Sequence, residues 1–193
     1  MSSYPINMLS TKIKEQTASP HRQLESHPLF RNLSGRFEEE SYLKLLQKLE
    51  AYYQVLEKAY VPFFKEVTAL EISKRQRAHI LTEDIKNRSG VTSVYSFDVP
   101  VIDSICKATG ALYVMEGSTL GARFICQSLA QSGINASNGA AYFSGYGEDT
   151  GTMWKVFVQF INDVASSEEE EQEVITTAEQ VFSSLYKWLD KND

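Results

Sequence analysis

Gly110-Ala111-Leu112-Tyr113-Val114-Met115-Glu116-Gly117-Ser118-Thr119-Leu120-Gly121 is the stretch on which the reading of this chain turns. It lies inside a long apolar pattern, roughly Val101 to Gln131, that predicts a helix of many turns. A glycine inside a helix costs about 0.8–1 kcal/mol relative to alanine, so Gly117 and Gly121 together give up about 2 kcal/mol, and Gly110 adds to that. At i, i+4 spacing the pair clears one face of side chains, letting another group approach the backbone. Two readings share this observation: tight helix–helix packing, or a bent helix lying over a flat ligand with only small atoms near the reactive centre. In the second reading Ser118 and Thr119 are placed to order water, and Glu116 belongs either to that polar network or to the structural core.

Outward from this stretch the chain is helical in pattern on both sides. Met8 to His27 reads as a helix capped by Ser10 or Thr11. Pro20 either kinks it or starts a fresh turn with Ser19 as cap. After a break at Asn32-Leu33-Ser34-Gly35, Glu38 to Phe64 carries the clearest period: Tyr42, Leu45, Leu46, Leu49, Tyr52, Tyr53, Leu56 and Tyr60. Ile72 to Lys86 predicts another helix, with Ile80, Leu81 and Ile85 on one face. Val91 to Pro100 reads as an irregular loop, because its isolated β-like run has no strand to pair with.

Toward the C-terminus a loop from Ser132 to Gly151 precedes a helix over Gly151 to Val164, built around Trp154, Phe157, Phe160 and Ile161. Ser167 then caps a last helix with Glu168 to Glu171 in its first turn, where the helix dipole favours negative charge. Its buried stripe is Val174, Ile175, Ala178, Val181, Phe182, Leu185 and Leu189. No repeat or long linker divides the pattern. The expected fold is an all-α, single-domain multi-helical bundle spanning residues 1–193.

Hydrophobic residues make up 42% of the 193 and charged residues 23%, enough apolar material for one real core. Ten Tyr, ten Phe and two Trp suit both a core and the walls of a site for a flat apolar ligand. A net charge of −6 without a basic stripe argues against a nucleic-acid partner. Neither a signal-peptide pattern nor an apolar run of roughly 20 residues is found, so a cytoplasmic protein with no membrane partner is expected. Cys106 and Cys126, both in apolar helical patterns, read as reduced core thiols.

The histidines supply the candidate metal ligand. His21 has Thr17 one turn before it and Glu25 one turn after, and an imidazole is a competent axial ligand when its second nitrogen has a partner to fix the ring. Glu25 is placed to be that partner. Alone, a helical histidine is an ordinary residue. His27, beside Pro28 at an expected helix end, and His79, in a basic and solvated-looking segment, compete with it. Lys14, Lys12 and Arg22 are the basic residues near His21 able to pair with a ligand's carboxylates.

Taken together these pieces resemble the haem oxygenase family, in its bacterial, biliverdin-producing branch. Thr17 to Glu25 is similar to the proximal-helix signature T-x-x-x-H-x-x-L/A-E, and Gly110 to Gly121 resembles the distal pattern YV-x-EGS-x-LG. Tyr146-Gly147 followed by Trp154 and Phe157, and the final-helix run from Ala178 through Phe182 to Leu189, also resemble the family. The resemblance implies that haem lies between the first helix and a kinked, glycine-bearing distal helix. His21 would ligate the iron, with Thr17, Glu25, Tyr113 and Phe182 lining the haem and Lys14 facing a propionate. Gly117, Ser118 and Gly121 would frame the oxygen-binding side. It further implies oxygenation of haem, as both substrate and cofactor, to biliverdin, carbon monoxide and ferrous iron. Electrons come from an external ferredoxin or reductase, since no nucleotide motif is present. The chain is expected to act as a monomer or weak dimer.

Two departures from animal-type relatives stand out. Ser118 takes the place of their distal aspartate, and a basic propionate partner on the penultimate helix is replaced near Val158, with Lys155 one turn away. Three other readings fit parts of the pattern. A haem-binding or trafficking protein would keep His21 without turnover. A thiaminase-like enzyme would need a cysteine nucleophile with a base beside it, which neither Cys106 nor Cys126 has in sequence. A partner-binding helical domain would use the glycines only for packing.

Overall fold

Pro20 decides where the first helix breaks. It has no N–H to give to the carbonyl of Gln16, and its ring crowds that carbonyl. In the computed structural model, which describes residues 8–34, 37–92, 95 and 97–191, α1 (Leu9–Gln16) ends at Thr17 and α2 (Ala18–Glu25) begins directly after it. Pro20 thus falls in the first turn of α2, where a missing donor leaves nothing unpaired. The single helix expected from Met8 to His27 is two, and the fresh turn starts at Ala18 rather than at Pro20. Neither Ser10 nor Thr11 caps α1. The N–H of Ser10 is taken by Oδ1 of Asn162 at 2.9 Å, so α8 (Thr150–Val164) supplies the cap. The leading residues 1–7, Gly35 of the first break and Ser93, Val94 and Ser96 of the β-like run lie outside the described residues.

His27 opens a helix instead of ending one. Its Nδ1 accepts the N–H of Leu29 at 3.2 Å and caps α3 (Pro28–Arg31). The ring is buried edge-on against Tyr186, and that burial pulls its pKa below the ordinary imidazole value, helped by Lys48 and opposed by Asp190.

The two longest predicted stripes are buried as read. On α4 (Glu39–Tyr60) all eight stripe residues are 1% exposed or less, and on α9 (Glu168–Asp190) all seven are 5% or less. Ser167 caps α9 by accepting the N–H of Glu170 at 3.2 Å. The Ile72 to Lys86 helix is broken into α5 (Ile72–Arg75) and α6 (Ala78–Asn87). A distant carboxylate makes the break: Glu57 Oε1 accepts the N–H groups of Arg77 at 2.6 Å and Ala78 at 3.0 Å, satisfying donors at the start of α6. The long helix, α7 (Ile105–Gln131), starts four residues later than expected because Ser104 accepts the N–H of Lys107 and caps it there. Its helical hydrogen bonding continues through all three glycines.

α7 is the central element, with α9, α4 and α8 packed around it, while α1 and α2 lie along α9. Gly110 sets the distance between α7 and α9. A methyl there would collide with the carbonyl oxygen of Val174 and stand 3.0 Å from Cβ of Thr177. The packing reading of the glycines is therefore correct for Gly110.

Two outcomes follow for stability. Gly110→Ala is expected to lower the unfolding free energy by about 1–3 kcal/mol through overpacking against backbone, measured by urea titration. His27 has a folded pKa lowered below its unfolded value, so its contribution is fully present above about pH 6.5 and is lost as pH falls from there through the lowered folded value. His27→Asn, which keeps a capping acceptor, should flatten that acid limb in thermal melts taken across the same range.

Candidate functional site

α2 and α7 both lean on α9 but share no extensive contact with each other, and a gap separates them. Its origin lies in the helix crossing. Gly110 and Gly117 are a heptad apart and so occupy the same side of α7 to within about 20°. At Gly110 that side is pressed against α9, yet a methyl at Gly117 or Gly121 would meet nothing within 4 Å. The helices have diverged by then, and the packing reading fails for this pair. The face continues outward to Leu120, 44% exposed, and Phe124, 78% exposed. Large apolar side chains left bare beside an open backbone mark a binding wall.

The facing wall is α2. His21 is half exposed, its ring edge-on to Phe182 of α9 with centroids 5.6 Å apart. Its Nδ1 lies 3.4 Å from Oε2 of Glu25, so Nε2 is the nitrogen not engaged by that carboxylate. Thr17 is buried between the two walls: its hydroxyl donates to the Ile13 carbonyl at 2.6 Å and also reaches the phenol of Tyr113. That phenol is held above its ordinary pKa by burial, with the Thr17 contact opposing. The Thr17–Tyr113 bridge closes one end of the gap. One turn further along each chain stand His21 and Gly117. Trp154 of α8 packs against Tyr113 at 5.9 Å.

Behind α7 lies a buried polar layer. The Ser118 hydroxyl donates to the carbonyl of Met115 at 2.6 Å and lies 3.2 Å from the hydroxyls of both Tyr53 and Tyr142, which are 2.5 Å from each other. Thr119 similarly donates to the Glu116 carbonyl at 2.7 Å. Arg77 donates to the Tyr142 carbonyl, and its guanidinium lies over the rings of Tyr142 and Tyr146 at 5.2 and 5.3 Å. Glu116 forms a buried ion pair with Arg75 and accepts from the Tyr146 hydroxyl at 2.5 Å. Burial pushes the Glu116 carboxyl above the usual range, with Arg75 the chief opposing influence.

The structure thus joins His21 to Glu25 and Phe182, and Thr17 to Tyr113, while the backbone at Gly117 and Gly121 faces open space on α7. Ser118 sits at its edge but turns its hydroxyl toward the tyrosines. Lys14, Arg22 and Lys155 are exposed, Lys12 is committed to Glu171, and Val158 is half-buried. Arg75 and Arg77 overturn the reading of their segment as solvated, since each is 1% exposed. Sequence reasoning missed both of them, and missed Tyr53 and Tyr142 as polar groups. The one available signal was the number of tyrosines on the buried stripe of α4, whose hydroxyls each need a partner. Among the described residues no group of three or more His, Cys, Asp or Glu side chains is placed to hold a metal ion, so the donor on offer is a single imidazole.

Comparison with known proteins agrees with this fold. The Heme oxygenase family profile matches residues 7–191. Heme oxygenase PigA of Pseudomonas aeruginosa is 27% identical over 191 residues, covering 96% of this chain and 93% of that one. Among solved structures, the NO- and CO-bound heme oxygenase of Neisseria meningitidis superimposes with a TM-score of 0.77 at 24% identity, over 94% of this chain and 90% of that one. Heme oxygenase-1 of the cyanobacterium Synechocystis, in complex with heme, gives a TM-score of 0.75 at 16% identity with the same coverage. The chain belongs to the haem oxygenase family, a class of haem-degrading monooxygenases.

The two open glycines make a prediction that packing glycines would not. Gly117→Ala and Gly121→Ala are each expected to raise the stability of the ligand-free protein by about 0.8–1 kcal/mol, the helix-propensity gain, because the new methyl meets nothing. Chemical denaturation of the two variants checks this against the loss expected for Gly110→Ala.

Proposed function

We propose that this protein binds haem in the gap between α2 and α7 and cleaves it with O₂ to biliverdin, carbon monoxide and ferrous iron, using electrons from an external ferredoxin or reductase. The carrying observation is the pair of glycines whose missing side chains leave open space on α7, together with a half-exposed imidazole on α2 that has a carboxylate 3.4 Å from its Nδ1. The lining fits a flat, largely apolar macrocycle: Phe182, Tyr113, Leu120 and Phe124 supply apolar surface, and the bare backbone at Gly117 and Gly121 allows close approach.

In this reading His21 Nε2 would hold the haem iron, and Glu25 beside Nδ1 would fix the ring's orientation and raise its basicity as a ligand. Phe182 steadies the imidazole edge and packs on the macrocycle, while the Thr17–Tyr113 bridge limits how far the ligand slides in. Exposed Lys14, with Arg22 nearby, meets the propionates at the rim. Bound haem supplies the redox-active iron and the macrocycle that is oxidised. The protein's part on the α7 side is to exclude bulk water with apolar side chains and hold proton-bearing hydroxyls, Ser118 backed by Tyr53 and Tyr142, at the edge of the gap. Residues 1–193 act as one domain. The free thiols of Cys106 and Cys126 suit the reducing cytoplasm.

Reconstitution with haem, followed by ascorbate or a ferredoxin–reductase couple under O₂, should bleach the Soret band and release biliverdin detectable by chromatography. A persistent Soret band with no biliverdin would indicate a haem carrier on this scaffold. His21→Ala should abolish the histidine-ligated absorption spectrum, while His79→Ala and His27→Asn retain it. An unaltered spectrum in His21→Ala would assign the ligand to another residue.

A further inference from the structure

His27 joins the end of α2 to α3. Its N–H donates to the Leu24 carbonyl at 3.0 Å, closing the last turn of α2. Its carbonyl accepts the N–H groups of Phe30 and Arg31, both at 3.0 Å, and its Nδ1 accepts that of Leu29 at 3.2 Å. Each N–H of α3 thus closes on this one residue, since Pro28 has none. A ring nitrogen that accepts carries no proton, so Nε2 holds it. Nε2 is buried without a hydrogen-bond partner among the described residues, on a side chain whose residue is 3% exposed. Beyond α3 the turn at Asn32–Ser34 lies against α7: Leu33 is buried, and its carbonyl accepts the Ser128 hydroxyl. Ser128 stands about four turns beyond Tyr113. The chain is therefore tied to α7 on both sides of α2, before it through Thr17 and Tyr113 and after it through the segment that His27 opens.

We propose that His27 is an acid-sensitive latch: protonation of its ring releases α3 and the C-terminal end of α2, so that haem is retained at neutral pH and let go on mild acidification. This inference rests on the proposed haem site, with His21 of α2 as the iron ligand. A proton on Nδ1 would point at the Leu29 N–H, so the cap is lost, while Nε2–H still lacks a partner and the ring carries a buried charge. The ring is faced by Tyr186 and Asp190 from α9 and by Lys48 from α4. Burial is the largest influence and holds its pKa below the ordinary value; Asp190 favours the cation and Lys48 opposes it. Acid therefore does not charge the ring in place. It favours the state in which α3 has opened and the ring meets water. Glu25 is the last residue of α2, so opening there also loosens the carboxylate beside His21 Nδ1.

The test uses the full chain, with and without haem. In the ligand-free protein, hydrogen exchange at the Leu29, Phe30 and Arg31 amides, corrected for the intrinsic rate, should lose protection about tenfold per pH unit below about pH 6.5, the response to one linked proton. Nitrogen NMR of His27 should show the Nε2–H tautomer at neutral pH. Neither measurement needs a variant. His27→Asn, whose side-chain carbonyl caps but takes no proton, should keep its protection constant over that range. Protonating His21 itself also releases the iron, so haem loss to excess apomyoglobin is compared between proteins that both keep His21. Between about pH 6.5 and 5.5 the wild type should accelerate about tenfold more than His27→Asn, and His79→Asn should follow the wild type. Protection that does not change with pH in the wild type overturns the latch, as does an Nδ1–H tautomer. Haem loss equally acid-sensitive in the wild type and His27→Asn overturns it too. Failure of the wild type to bind haem at neutral pH overturns the haem site, and the latch's role with it, whatever the exchange shows.

Discussion

The close crossing of α7 over α9 at Gly110 is the constraint from which the site is built. Helices that touch at backbone distance must separate as they leave the crossing. On α7 a methyl one heptad later, at Gly117, would meet nothing within 4 Å. On α9 the residue that emerges beyond the Val174–Ala178 contact is Phe182, which meets His21. The open wedge at Gly117 and Gly121 thus lies beyond that crossing, with α2 packed on α9 and in no extensive contact with α7. A wedge of this kind is open without any cavity in the core, so the dense packing of α4, α7 and α9 and the accessible site do not compete for the same volume.

Glycine therefore does two opposite jobs on one helix. Gly110 has no side chain because α9 occupies the space; Gly117 and Gly121 have none although their space is free. The first kind of glycine repays its propensity cost in packing. The second kind repays nothing in packing in the ligand-free protein, so its cost of about 2 kcal/mol for the pair is a standing penalty. This asymmetry makes the pair an argument for function, which the glycine spacing by itself does not provide.

Much of this was legible in the residues because both long stripes, on α4 and α9, are simple 3.6-residue patterns whose every member is buried. Ser167 was readable as a cap because the cap is local. What failed did so where a distant group intervened. Glu57 breaks α5 from α6 across twenty positions of sequence, and Asn162 caps α1 from the far end of the chain. The gap residues His21, Glu25, Gly117 and Gly121 were visible as motifs. The layer behind them was not, because tyrosines on an apolar stripe read as core, and arginines among Lys74, Gln76 and His79 read as surface.

That hidden layer explains why a neutral side chain suits position 118. An aspartate behind α7 would be a buried anion and would need its own cation or several donors to offset desolvation. Here the two nearby cationic heads are already engaged, Arg75 with Glu116 and Arg77 with carbonyls and the faces of Tyr142 and Tyr146. Ser118, being neutral, needs only hydroxyl partners, which Tyr53 and Tyr142 supply. The substitution at one position of α7 is thus coupled to tyrosines on two other elements, and none of the three can be interpreted alone. The polar chemistry of the α7 wall belongs to a three-hydroxyl unit whose members are each buried or half-buried, with Ser118 the one carried on the wall of the gap itself.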